Sequence, residues 1–258
     1  MRLMKRILSA AAVLALSASL LVGCSSGTAS SVPVSASSAA ESTVSSVEET
    51  ASSAVDENAA AAEQLLNDLT GSYQELWPVI LADEYKQTWL DDCTALVGEE
   101  NAEAAFEKLS SMVTSDVYGE DAVEAYANGG GAYFCGFTNS LAILTFDGET
   151  STISGTDKDG NVLFSHTYHY IGMEPVHGLY EFESDDADSG EFTYFFLAPD
   201  TSAETYHIEF RYGSDAEALS QYDAGEYAYW VASGISTDCD QTMIDNCIEL
   251  FCTENLAG

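Results

Sequence analysis

The chain has 258 residues, enough to bury a sizeable core in one large domain or two small ones. Its 43 acidic residues against 7 basic ones leave a formal net charge of −36, which repels phosphate backbones and anionic headgroups. That balance argues against nucleic-acid and peripheral membrane binding, while high acidity in itself is ordinarily a solubility device that attracts cations diffusely.

Residues 1–24, MRLMKRILSAAAVLALSASLLVGC, begin with Arg2, Lys5 and Arg6 and continue into an apolar stretch from Ile7 to about Ala18. The apolar run is short for a membrane span and has the layout of a secretory signal peptide. Leu21-Val22-Gly23-Cys24 resembles the lipobox of bacterial lipoproteins, which implies lipidation of the Cys24 thiol, cleavage before Cys24 and an acylated new N-terminus. Two or more acyl chains anchor durably, so the expected location is the extracytoplasmic face of the cell membrane. Residues 25–60 are rich in Ser and Ala and hold no aromatic residue. They cannot bury enough apolar surface to offset ordering entropy, and are expected to form a disordered tether spanning roughly 30–35 Å root-mean-square.

The folded domain is expected over 61–258. Helical periodicity runs through Ala61–Leu69 and Tyr73–Asp92, with Pro78 in the first turns of the second stretch. Glu100–Met112 and Glu120–Asn128 are further helix candidates, the latter ending at Gly129-Gly130-Gly131. Beyond the glycines the pattern becomes strand-like. Tyr133–Phe137, Leu141–Phe146, Thr150–Thr156, Val162–Ile171, Leu179–Glu183, Phe192–Leu197 and Tyr206–Tyr212 are short, aromatic or branched, and separated by turn residues. Asp147-Gly148 and Asp159-Gly160 are hairpin signals. Ala216–Tyr229 is loop- and helix-like, and Thr242–Phe251 predicts a final helix. About seven consecutive antiparallel strands predict a mainly β fold, a meander closing into a barrel or curved sheet with helices packed over it.

The last predicted strand carries the most chemical information. Ile208, Phe210 and Tyr212 alternate with His207, Glu209 and Arg211, so an imidazole and a carboxylate two residues apart share one face. Such a pair can serve one metal ion. It can equally belong to an ordinary strand with a solvated polar face, Arg211 pairing with Glu209. His166 and His169, three apart on a strand, must face opposite ways, and His169 or His177 could supply a further imidazole. Zinc accepts nitrogen and carboxylate oxygen, commonly with four ligands, and an oxygen-richer site would admit other divalent cations.

Three stretches resemble the ZinT family of bacterial exported zinc-binding proteins: Gly71-Ser72-Tyr73-Gln74-Glu75-Leu76-Trp77-Pro78, the hairpin Phe192–Asp215 with Ala198-Pro199, and Tyr227-Ala228-Tyr229-Trp230 through Phe251. The resemblance implies a calycin (lipocalin-like) antiparallel barrel with N-terminal helices and a C-terminal helix. It also implies a three-histidine zinc site whose positions fall here on Phe195, His207 and Glu209. Phe195 cannot bind metal; His207 and Glu209 can. A metal-uptake transporter is the partner this reading implies, with a role in metal acquisition or homeostasis. The alternative is a calycin-type small-molecule-binding or interaction lipoprotein whose metal site has degenerated.

Besides Cys24, the cysteines are Cys93, Cys135, Cys239, Cys247 and Cys252, an odd number that permits up to two disulfides in an exported protein. None has the spacing of a thiolate zinc site. No nucleophile elbow, His-Glu-x-x-His helix or phosphate-binding glycine loop is present, so the chain is not expected to be an enzyme.

Overall fold

A computed structural model describes residues 57–198 and 207–256. The signal peptide, Cys24 and the tether as far as residue 56 lie outside the described residues, as do Pro199 and Tyr206. A helix already occupies 57–68 (α1), so the folded part begins before the expected boundary at Ala61. Strand β1 (Gly71–Glu75) then runs directly into helix α2 (Leu76–Ile80), followed by α3 (Lys86–Val97), α4 (Ala102–Met112) and α5 (Glu120–Ala127). The meander comprises β2 (Ile143–Asp147), β3 (Thr152–Thr156), β4 (Val162–Met173), β5 (Tyr180–Ser184), β6 (Tyr194–Leu197) and β7 (His207–Gly213). A short helix α6 (Ala216–Leu219) precedes β8 (Ala232–Ser236), and α7 (Gln241–Leu256) ends the chain's described part.

Each strand pairs antiparallel with its sequence neighbour, and β8 pairs back onto β1 through Tyr73↔Ser236, Gln74↔Ile235 and Glu75↔Gly234. The result is a closed eight-stranded up-and-down barrel with flanking helices, the calycin-like architecture expected. An eight-stranded barrel has an interior that side chains can just fill. Here it is filled largely by aromatic rings. Phe146, Phe182, Phe195, Phe210 and Tyr212 are fully buried in one core cluster, and the Phe195 ring lies 5.4 Å from the rings of both Tyr168 and Tyr212.

A second core lies outside the barrel. Ile235 from β8 joins Trp77, Ile80, Trp89, Leu109, Ile248 and Phe251 from the helices. Trp89 is fully buried and its indole N–H donates to the Ile80 carbonyl at 2.7 Å, tying α3 to the end of α2. Trp77 and Phe251 meet edge-to-face at 4.7 Å, which docks α7 on α2. No helix among the described residues is long and apolar enough to cross a membrane.

Three expectations need correction. The helical reading of Tyr73–Asp92 hid β1, because strand and helix abut at Glu75 and Leu76 and Tyr73 turns into the barrel against Phe146. Residues 133–137 form no barrel strand: Phe134 makes only isolated bridges to Thr114 and Trp230. The true closing strand is β8, Ala-Ser-Gly-Ile-Ser, whose small side chains carry no strand-like alternation.

Gly148, in the β2–β3 turn, sits against α1. A Cβ there would lie 2.4 Å from the Asn67 Cα and 2.6 Å from the Leu66 carbonyl oxygen. The Gly148 N–H also donates to Thr70 Oγ1 at 3.0 Å. Gly148→Ala is therefore expected to cost about 1–3 kcal/mol by forcing α1 off the barrel, read as a lower urea midpoint. Gly172→Ala, whose Cβ would meet only Glu181 Oε2 at 3.5 Å, is the control expected to change the midpoint little.

Candidate metal site on the outer face of strand β7

Strand β7 is buried on both sides, so the solvated polar face that its alternation allowed does not exist. Ile208, Phe210 and Tyr212 point into the barrel, where Phe195 stands opposite Tyr212 in register. His207, Glu209 and Arg211 point outward beneath the helices, His207 facing Ile235 and Glu209 facing Ser233 on β8. His207 and Glu209 line a cavity of about 20 Å³, with Trp77 and Ile80 of α2 on one side and Cys247 and Phe251 of α7 above. A space of that size holds one water-sized occupant.

The imidazole of His207 is 7% exposed, and its removal from water lowers its pKa from 6.5 to about 4. At neutral pH it is an uncharged ring with a ring-nitrogen lone pair. Cys247 supplies a thiol whose pKa burial pushes up to about 12, so it is protonated unless a cation displaces the proton. Cys135 lies near Glu209, whose charge adds to burial in raising the Cys135 pKa. Among the described residues no group of three His, Cys, Asp or Glu side chains is gathered closely enough to hold a metal ion. The arrangement is thus a neutral imidazole and a carboxylate side by side on one strand, with a thiol across a small cavity.

Arg211 does not pair with Glu209. Its guanidinium is fully buried and donates to the carbonyls of Leu219, Gln221 and Tyr227, while its plane lies 4.2 Å from the centre of the Tyr222 ring. This cation organises the segment between β7 and β8 rather than a ligand site.

The remaining sequence candidates lie elsewhere. His169 is half exposed on β4 and its Nδ1 is 2.8 Å from Asp185. His166 faces the other way, as its spacing requires, with Nδ1 2.7 Å from Asp186. His177, in the β4–β5 connection, packs 3.8 Å from the Tyr222 ring and 3.5 Å from the buried carboxylate of Glu174. Neither His169 nor His177 lines the cavity under α7. Phe195 does not border it either, because it occupies the opposite face of the sheet. Cys247, which also lines the cavity, sits on a helix about forty residues away, and in the sequence only its place on the buried side of α7 hints at it.

No protein-family model and no curated protein matches the chain. Among solved structures, the Zn(II)-bound ZinT-like domain of Streptococcus pneumoniae AdcA is 15% identical, with 70% of this chain and 87% of that domain covered and a TM-score of 0.44. Zn(II)-bound AdcA from the same organism is 13% identical with a TM-score of 0.41 over 71% of this chain, which spans only 34% of that protein.

Phe195→His puts an imidazole into the aromatic lumen, so it should lower stability by roughly 2–4 kcal/mol in urea titration. For His207, the folded-state pKa lies below the unfolded one. Its contribution to stability is therefore fully present above pH 6.5 and lost as pH falls through about 4. The depression is worth roughly 3 kcal/mol at most. Unfolding free energy of a His207→Gln variant should fall less steeply than that of the wild type between pH 6.5 and 4; equal slopes would mean that His207 titrates normally.

Proposed function

We propose that this protein is a lipid-tethered, extracytoplasmic divalent-metal-binding protein, with zinc the ion that its donors suit. The observation that carries the proposal is the pairing of His207 and Glu209 on the covered face of β7, lining a cavity of about 20 Å³. A buried imidazole held neutral beside a carboxylate presents nitrogen and oxygen donors without proton competition until the pH approaches 4. The thiol of Cys247 borders the same space. Zinc bound there would withdraw charge from its donors; the work of the chain is to keep His207 unprotonated, exclude bulk water and hold the two β7 donors on one side.

Cys24 would carry the lipid and residues 25–56 would hold the barrel away from the bilayer, a geometry that suits metal capture outside the cell and delivery to an uptake transporter. The strongly acidic surface would raise the local cation concentration. A small-molecule ligand inside the barrel is disfavoured by the lumen, where Phe146, Phe182, Phe195, Phe210 and Tyr212 pack against one another.

Isothermal titration of zinc into the purified protein tests the proposal. Binding at micromolar metal or tighter is expected, weakened at least tenfold in a His207→Ala/Glu209→Ala double variant whose circular dichroism is unchanged. Absence of binding, or equal binding by the double variant, would sink it.

A further inference from the structure

Cys93 and Cys252 are both fully buried, on helices α3 and α7, with their sulfur atoms 3.9 Å apart. Both belong to the core cluster of the helical layer. Trp89 lies one turn before Cys93, and its ring stands 5.9 Å from that of Phe251, the neighbour of Cys252. Two thiols in van der Waals contact need only modest side-chain rotation to reach the bonding distance of about 2.05 Å. Packing already holds the two helices against each other in that cluster. Both thiols stand free in the structure.

We propose that Cys93 and Cys252 are a disulfide-forming pair that staples α3 to α7 when the protein matures in an oxidising compartment. The oxidant is a disulfide, of a small thiol or of an oxidoreductase. One cysteine, as its thiolate, attacks the oxidant's S–S bond, forming a mixed disulfide and expelling the first oxidant thiolate. The other cysteine then displaces the second, so two thiol protons and two electrons leave the protein and the oxidant departs as two thiols.

The covalent loop would span residues 93–252, enclosing β2 through β8, so one bond would constrain nearly the whole barrel. Loops of that length give the largest stabilisation in the chain-entropy account. The bond would also fix α7, the roof over His207 and Glu209, without depending on whether metal binds there. Burial raises the pKa of both thiols, which makes exchange slow in the closed fold and favours bond formation while α7 docks.

The test oxidises reduced full-length protein with oxidised glutathione in sub-denaturing urea, then alkylates and maps peptides without reductant. A Cys93–Cys252 linked peptide, two hydrogens lighter than its parts and released by reductant, is expected. Melting of the oxidised protein should fall by roughly 10 °C on reduction. In a Cys93→Ala/Cys252→Ala variant, the melting temperature should not respond to reductant. Full alkylation of both cysteines after oxidation, a bond joining other cysteines instead, or a wild-type melting temperature indifferent to reductant would each overturn the proposal.

Discussion

Closure of the barrel, through the pairing of β8 with β1, is the constraint on which the rest of the structure depends. A seven-strand meander would leave two edges of unpaired N–H and C=O groups, and only closure removes both. The same pairing decides where the helices go. Helix α2 leaves the end of β1 and α7 follows β8, so joining those strands brings the two helices together over the outer face of β7 and β8. The contact of Trp77 with Phe251 is a consequence of that closure, and so is the cavity beneath it.

Covering β7 on both sides sorts its side chains by chemistry. The inner alternates are aromatic or branched and join the ring-lined lumen. The outer alternates are His207, Glu209 and Arg211, polar groups that burial forces to find partners or to change state. Arg211 resolves the problem by charge-assisted bonds to three backbone carbonyls and by stacking on Tyr222, which folds the 214–229 segment around it. Burial also lowers the pKa of His207 to about 4, so its ring is uncharged at neutral pH.

Much of the meander was legible because its strands carry strong signals. The Asp147-Gly148 and Asp159-Gly160 turns lie in the β2–β3 and β3–β4 connections, and the alternation in β7 assigned every one of its side chains to the right face. The reading of α4, α5 and α7 succeeded for the same reason, since their apolar residues recur at helical spacing. Failures occurred where local pattern was weak or mixed. Strand β1 shares its window with α2, so Tyr73 was counted with a helix it precedes. Strand β8 consists of small residues, and nothing in Ala-Ser-Gly-Ile-Ser distinguishes a closing strand from a loop. Tyr133–Phe137 has strand composition, yet it makes only a short parallel contact, the Phe134 and Cys135 carbonyls accepting from the N–H groups of Val231 and Ser233, and adds no strand to the barrel.

Sequence alone determined the antiparallel meander, most of the helices around it, and the juxtaposition of His207 with Glu209, because these depend on periodicities of two and 3.6 residues within short windows. Which face of β7 is interior, and what covers the other, depends on contacts between residues far apart in the chain. Only the tertiary structure could therefore place Phe195 in the lumen, opposite in face to His207. It alone could bury Arg211 among carbonyls, bring Cys247 to the cavity beside His207 and Glu209 and set Cys93 beside Cys252. Long-range packing decided each of these, and no local pattern encodes it.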